Sequence, residues 1–475
     1  MTFQTIPEMV LSSGERFGGG EAGVDGAIRW SLHEAVDRIR CAAGSFAEIG
    51  IGKGDRVAIW APNSAEWIVA VFGLLTAGAT LVPINTRYRH DEAADILVRS
   101  GAKAVLVQPG FLGLEFDAPS GVQVIDITGD FLSGGDPFEA VVAGSDIADI
   151  MYTSGTTGRP KGVMMNHRQV LRLFSEWCDL ADLRKGDRYL IVNPFFHMFG
   201  YKAGLIASFL RGATIYPMAV LDVDRVLDLI ETEQITMLPG PPTLYQSLLS
   251  ANDSSHDLSS LRAAVTGSAD IPVDLIRRIK HELPFETIMT GYGLTEAGTA
   301  TASRPGDTFE QIATTVGKPC DGIEISIAVD AEVLIRGYNV MQGYLDDPEA
   351  TAEAIDPDGW LHTGDLGELV DGRLRIIGRK KDMFIVGGFN AYPAEIEGYL
   401  LEHPAVDQVA VIGVPDQRLG QVGKAFVVAR EVISADELIS WSRKRMAGFK
   451  APRSIEFLDR LPTNATGKVT KSELH

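Results

Sequence analysis

Short apolar runs alternate with helix-patterned runs through the first two thirds of the chain, and this alternation limits the fold more than any other feature. RVAIWA (56–61), AVLVQ (104–108), DIADIMYTS (146–154), YLIVNPFF (189–196) and ITMLPGP (235–241) read as strands, and VDRVLDLIETEQ (223–234) reads as a helix. Strands alternating with helices predict an α/β architecture with a parallel sheet, whose ligands gather where strands end and loops begin. Near the start, IRWSLHEAVDRIRCAAGSFAEIG (28–50) reads as a strand and then a helix, with Ser31 and Glu34 spaced as a capping box. The most apolar run, WIVAVFGLLTAGA (67–79), is shorter than the ~20 residues a membrane span needs and reads as a buried helix.

After about Gly317 the texture changes to short strands and turns: VLIRG (333–337), DLGELVDGRLRIIGR (365–379) and DMFIVGG (382–388), with Asp371-Gly372 as a hairpin signal. Beyond Arg379, a helix PAEIEGYLLEH (393–403), a strand VAVIGV (409–414) and a helix ADELISWSRKRMA (435–447) suffice for a separate small domain. The boundary is expected at 380–381, within GRKKD, dividing residues 1–379 from 382–475. More than one domain is also expected from size, because 475 residues exceed the ~250–300 at which single cores stop growing.

A net charge of −20 repels a polyanion, so nucleic acid is not expected as a partner, and any anionic ligand needs a local pocket. Cys41, Cys178 and Cys320 lack metal-ligand spacing; free thiols in a cytoplasmic setting are the expectation. The first residues, MTFQTIPEMVLSSGER, do not follow a basic region with an apolar one and do not read as a secretion signal. No stable membrane insertion is expected, and a homodimer is left open.

YTSGTTGRPKGV (152–163) follows directly on the apolar run IADIM. Glycine lets backbone amides converge on an anion; the hydroxyls of Thr153, Ser154, Thr156 and Thr157 add donors and Lys161 adds a charge. Counted from Gly155, Pro160 stands where a Walker A loop has its second glycine, and Gly162 where it has the magnesium-binding hydroxyl, so this is not a kinase-type P-loop. Composition alone leaves both phosphate binding and a mobile Gly/Thr loop open.

The loop is followed in order by NPFFHMFG (193–200), GYGLTE (291–296), WLHTGD (360–365), GRKKD (378–382), GGFNAYPAEIE (387–397) and NATGK (464–468). This series resembles the motif set of the adenylate-forming (ANL) superfamily and spans nearly the whole chain. The resemblance implies a large N-terminal domain of layered α/β subdomains with a small β-barrel-like part, then a small mobile α+β C-terminal domain. It implies an acid–thiol ligase that uses ATP, Mg2+ and CoA: a carboxylic acid attacks the α-phosphate, releasing pyrophosphate, and the CoA thiol then displaces AMP.

By the same resemblance, Lys468 bridges the substrate carboxylate and the α-phosphate, Glu296 holds Mg2+, and Thr295 bonds the α-phosphate. Thr153, Ser154, Gly155, Thr156, Thr157 and Lys161 cradle the phosphates. Tyr292, between Gly291 and Gly293, faces adenine beside the loop Gly267, Ser268 and Ala269; Asp365 and Arg379 hold the ribose. Gly387 and Gly388 open the face that helps form the CoA tunnel, to which the basic stretch WSRKRMAGFKAPRS (441–454) could add charge, and Lys381 is the hinge. His197 positions the carboxylate and gates the acyl pocket, with Phe195, Phe196, Met198, Phe199 and Tyr201 as its wall and Gly200, Gly204, Gly240 and Gly298 leaving room. LPGPPTLYQSLL (238–249) is a second wall.

Without the resemblance, Lys468 reads as a solvated tail lysine, Glu296 as a helix-start acid, Tyr292 as core packing and Asp365–Arg379 as an exposed ion pair. NPFFHMFGYKAG, YNVMQGYLDD and VIGVPDQRLGQVG further resemble the bacterial CoA ligases of sterol degradation. This implies a bicyclic diketo propanoate as the acid; a medium-chain or cyclic carboxylate, or a carrier protein as the acyl acceptor, is the alternative.

Overall fold

The computed structural model describes residues 3–113, 116, 118–153, 159–251, 256–267, 273–463 and 469–475. Its first layer is a seven-stranded sheet in the order Gly343–Tyr344, Lys161–Asn166, Ile147–Thr153, Thr80–Pro83, Arg56–Trp60, Ala104–Val107, Gln123–Asp126. The last five of these are mutually parallel. Ile147–Thr153 then turns back antiparallel onto Lys161–Asn166, so the hydroxyl-rich loop leaves and re-enters the sheet at neighbouring positions.

A second sheet runs Ile28–Ser31, Glu21–Asp25, Thr214–Pro217, Arg188–Ile191. It continues through Met237, bridged to Tyr189 and Ala263, into Ala263–Thr266 and Thr287–Leu294. The run ITMLPGP, read as a strand, contributes only single bridges at Met237 and Gly240. Pro239 and Pro241 have no amide hydrogen to donate to a ladder, so pairing stops there.

The helices Leu32–Glu48, Ala65–Thr76 and His167–Leu180 fill the main apolar core with these sheets. Every residue of Ala65–Thr76 except Glu66 is buried, as its composition predicts. No helix among the described residues is long and apolar enough to cross a membrane. The capping box forms: Ser31 N donates to Glu34 Oε2 at 2.7 Å and Glu34 N to Ser31 Oγ at 3.2 Å.

The third unit is an antiparallel sheet of Ile323–Ile327, Glu332–Gly337, Leu361–Val370 and Arg373–Arg379. Asp371 and Gly372 take φ of 51° and 73°, the left-handed pair that a two-residue hairpin with native twist requires. Val316 N donates to Leu374 O and Leu374 N to Gly317 O, both at 2.8 Å, tying this sheet to the second one.

From Phe384 onward the chain builds its own apolar cluster, with Phe384, Ile396, Leu400, Val411, Val427 and Leu438 at its centre. Its sheet holds Phe389–Ala391, Phe384–Val386, Gly420–Ala429, Val406–Asp416 and Ser454–Phe457, packed with helices Pro393–Leu401 and Ala435–Arg443. Cys41, Cys178 and Cys320 are free thiols.

Candidate active site

The two strands that carry the hydroxyl-rich loop are held in register, Thr153 opposite Lys161 and Tyr152 opposite Gly162. A Cβ on Gly162 would lie 2.9 Å from Ile150 Cγ2 and 3.1 Å from the Tyr152 ring, so glycine lets the hairpin close. Ser154, Gly155, Thr156 and Thr157 lie outside the described residues, as do Ser268, Ala269 and Lys468. Lys161 Nζ stands 4.9 Å from the Tyr344 ring centroid, and Tyr344 Oη donates to Glu296 Oε1 at 3.0 Å. Tyr344 therefore joins the loop lysine to the carboxylate of GYGLTE, a link the sequence reading did not find. Burial holds the Glu296 carboxyl above the ordinary carboxylate range, opposed by the Tyr344 hydroxyl and the charge of Arg379.

GYGLTE leaves the sheet as a tight hairpin. Thr287–Leu294 pairs with Gly298–Ala302, and a Cβ on Gly291 or Gly293 would come within 2.9 Å of Thr301 O or 2.4 Å of Gly298 O. These glycines serve close backbone approach. Between them Tyr292 donates from its hydroxyl to Asp365 Oδ2 at 2.6 Å, while Arg379 Nε stands 3.1 Å from Asp365 Oδ1. Asp365 and Arg379 are also register partners in the third sheet, which fixes one against the other. A Cβ on Gly267 would lie 3.4 Å from Gly291 O, so the two loops expected around adenine emerge side by side from parallel strands. Thr295 follows Leu294, half-buried at the same hairpin.

His197 begins the short helix Met198–Gly200 and accepts from Phe199 N at Nδ1, 3.2 Å away. Burial, reinforced by the charge of Lys202, pushes its pKa down to about 4. A neutral ring with Nδ1 as acceptor has its hydrogen on Nε2, ready to donate. Phe196 and Phe199 are half-buried beside it.

Phe195 and Tyr201, expected in the acyl wall, point the other way. Both are fully buried against Trp67, with ring centroids 5.2 and 6.1 Å from it. A run of consecutive aromatics must place some on each side of its backbone, and the core claims these two. Nor do the glycines open space: a Cβ at Gly200 would meet Pro194 O at 2.2 Å, at Gly204 Ile191 at 2.9 Å, at Gly240 Leu244 at 2.4 Å and at Gly298 Leu173 at 2.4 Å. Gly240 does lie at the site's edge, bridged to Thr266 next to Gly267.

Lys202 is the second residue the sequence reading missed. Its side chain is 2 % exposed and ion-paired at 2.8 Å with Asp149, itself 0 % exposed, in the strand that leads to the hydroxyl-rich loop. A lone aspartate in IADIM and a lone lysine in FGYKAGLIASFL were the available signal.

In the C-terminal unit Gly387 and Gly388, with φ of 58° and 91°, form the two-residue turn between Phe384–Val386 and Phe389–Ala391. Phe389 is 61 % exposed and stacks on Phe449 at 5.1 Å. Lys381 is exposed, whereas its neighbour Lys380 pairs with Asp330 at 2.7 Å. No three His, Cys, Asp or Glu side chains converge as a metal site among the described residues. A single carboxylate, Glu296, suits a magnesium ion that keeps phosphate and water as its other ligands.

Adjacent loops at strand ends, a carboxylate–arginine pair beside them and a C-terminal unit with its own apolar cluster are the arrangement expected of an adenylate-forming enzyme. The chain belongs to the AMP-binding enzyme family: the pattern of that name matches residues 12–345, and that of the AMP-binding enzyme C-terminal domain matches 395–468. It is similar to the 3-[(3aS,4S,7aS)-7a-methyl-1,5-dioxo-octahydro-1H-inden-4-yl]propanoyl:CoA ligase of Rhodococcus jostii, 45% identical over 99% of this chain and 98% of that protein. The ligase of the same name from Mycobacterium tuberculosis is 48% identical over 94% and 93%. Among solved structures, the o-succinylbenzoate coenzyme A synthetase of Bacillus subtilis in complex with ATP and magnesium ion superposes with a TM-score of 0.87, at 30% identity over 98% of each chain. The chain is an AMP-forming acyl-CoA synthetase, with ATP and CoA as its substrates.

Proposed function

We propose that the acid is the bicyclic propanoate in the two ligases' name, a methylhexahydroindanedione propanoate, converted to its CoA thioester. What carries this reading is identity of 45–48% along almost the whole length of two proteins that share that one substrate. An apolar wall of Phe196 and Phe199 with one neutral donor, His197, suits an acid whose body is apolar and whose charge sits at one end.

In the first half-reaction a carboxylate oxygen bonds to the α-phosphorus and the bond to pyrophosphate breaks. Thr295, Lys161 and the loop Thr153–Thr157 hold phosphate oxygens, Tyr292 packs by adenine, and Asp365 with Arg379 holds the ribose. Glu296 would hold magnesium, whose charge shields the phosphates. Lys468 supplies a preorganised cation between the two anions. In the second, the CoA sulfur bonds to the acyl carbon and AMP leaves, which requires Lys468 to withdraw and the Gly387–Gly388 face to approach. We assign the boundary to 380–381 and the hinge to Lys381, supported by the separate apolar cluster that begins at Phe384. All these residues belong to one chain, so a homodimer is compatible and unnecessary. Free thiols and the use of ATP and CoA favour a cytoplasmic site of action.

The test is CoA-dependent AMP release with this propanoate, hexanoate, octanoate and cyclohexanecarboxylate, alongside loading of a phosphopantetheinyl carrier protein. The bicyclic acid should exceed the others in kcat/KM by about a hundredfold or more, since single methylene differences in an apolar pocket give only ~10–200-fold. Octanoate turned over equally well, or a carrier protein loaded in preference to CoA, overturns the assignment.

A further inference from the structure

Behind the acyl segment two opposite charges meet in the buried interior, with the Tyr201 phenol and the His197 ring as their polar neighbours. Asp149 stands in mid-strand, and Lys202 lies in the π-helical stretch Tyr201–Ile206 that follows His197 and Met198–Gly200. The Lys202 ammonium lies 2.8 Å from Asp149 Oδ1, yet neither carboxylate oxygen receives a hydrogen bond of good geometry, and the Tyr201 hydroxyl has no partner among the described residues.

A buried pair of this kind is a poor way to stabilise a fold. Desolvating both ions offsets their attraction, and apolar residues of similar volume often serve the core equally well. π-helical turns likewise tend to occur at functional sites. The pair does have a clear mechanical consequence. Asp149 is four residues before Thr153, at the base of the phosphate loop, and Lys202 is five after His197. The contact crosses the boundary between the acyl-binding segment and the ATP-binding strand.

We propose that Asp149 and Lys202 are positioning residues that hold the His197 segment against the strand carrying the phosphate loop, so that the acid's carboxylate meets the α-phosphate in register. The role rests on the assignment of the acyl carboxylate to the His197 segment. A displacement of about 1 Å between reacting groups can cost a hundredfold in rate, enough for a tie of this kind to matter.

Single loss of either partner strands a charge in the core, so the deciding variant is the doubly apolar Lys202→Met/Asp149→Leu. Its folding is read by circular dichroism and melting temperature, and its kinetics by pyrophosphate release with acid and ATP varied separately. We expect a folded protein with the KM for ATP unchanged and kcat/KM for the acid lowered by about tenfold to a hundredfold. Thioester formation from supplied acyl-adenylate should be retained. A folded double variant with unaltered acid kinetics, or one whose acid and ATP parameters fall together, overturns the proposal. Should that variant not fold, the doubly neutral Lys202→Gln/Asp149→Asn, which strands no charge, replaces it under the same criteria. His197→Ala run in parallel separates the two readings. A loss there beside an intact double variant sinks the pair alone, whereas unchanged acid kinetics in His197→Ala sinks the acyl assignment and the pair's role with it.

Discussion

Tyr292 and Asp365 are joined by a 2.6 Å hydrogen bond from the phenol to Oδ2, on the rim where the ribose is proposed to sit. Arg379 engages the other oxygen, so one carboxylate already serves two protein partners. A carboxylate offers about four acceptor positions, which leaves room for two ribose hydroxyls if the protein partners hold the group still. Tyr292→Phe keeps the flat face and removes only the anchor. A hydrogen bond to a charged group is worth about 1.5–3 kcal/mol, so the KM for ATP should rise by roughly tenfold to a hundredfold with kcat little changed. Asp365→Ala should cost more, because it strands the phenol and the guanidinium together. Steady-state kinetics with ATP varied at saturating acid checks both; an unchanged KM for ATP in both variants removes the ribose from this rim.

Glu296 depends on Tyr344 in a similar way. Glu296→Gln should lower adenylation by roughly a hundredfold or more, as expected for loss of one preorganised electrostatic group, and no magnesium concentration should restore it fully. Tyr344→Phe should act more mildly, by shifting the magnesium concentration needed for half-maximal rate upward. Because burial raises the Glu296 pKa, its ionised fraction falls sooner on acidification than that of an exposed glutamate. In Tyr344→Phe, which loses the hydrogen bond that opposes this, protons should compete with magnesium for Glu296 at higher pH than in the parent, so the magnesium concentration for half-maximal rate should rise more steeply on acidification. Magnesium titrations at two pH values decide the matter, and identical curves for the two proteins refute the linkage.

What the sequence disclosed and what it withheld divide along local and tertiary lines. The capping box at Ser31 and Glu34, the Asp371-Gly372 hairpin and the buried helix Ala65–Thr76 were legible because each is decided within a few residues. The run 235–241 misled because its apolar content suggested a strand while its two prolines prevented a ladder. Phe195 and Tyr201 were misassigned because only the packing of Trp67 decides which aromatics of the run enter the core. The site itself was recognisable through its motifs, but Tyr344 and the Asp149–Lys202 pair were not. Lys202 falls within NPFFHMFGYKAG and Tyr344 within YNVMQGYLDD, but neither run gives its residue a role, and Asp149 stands just before the loop motif; all three acquire meaning only when distant strands are brought together.

Lys468→Ala isolates the first half-reaction. Removing one preorganised cation should lower acid-dependent ATP–pyrophosphate exchange by roughly two to three orders of magnitude. The same variant given synthetic acyl-adenylate and CoA should form thioester at close to the parental rate. Equal loss in both assays would remove Lys468 from its proposed role.

Lys381→Pro isolates the second. Proline restricts φ and removes an amide donor, and Lys381 is exposed, so the change should leave either domain's core intact. Thioester formation should fall while adenylation persists, and single-turnover measurements should show acyl-adenylate accumulating. If both half-reactions run at parental rates, the pivot lies elsewhere in the chain.

The pH dependence of stability is set in part by His167. It is 1 % exposed, sits in the first turn of His167–Leu180, and accepts from Ile6 N at Nδ1, 3.3 Å away. Burial pushes its pKa down to about 4 against the pull of Asp146, and the positive end of the helix acts in the same direction. In the unfolded chain the same ring titrates near ~6.5. Between these values the unfolded state binds a proton that the folded state refuses, so stability must fall as pH falls through this window. The full contribution is present above ~6.5 and amounts to roughly 3 kcal/mol lost by pH ~4. His197, also pushed down to about 4, adds a second contribution of the same sign. His167→Asn removes one of the two proton-binding sites, so its urea midpoint should start lower at neutral pH yet decline less steeply between pH ~6.5 and ~4.5 than the parent's. Parallel declines in the two proteins would mean that His167 is not the group whose neutrality the fold enforces.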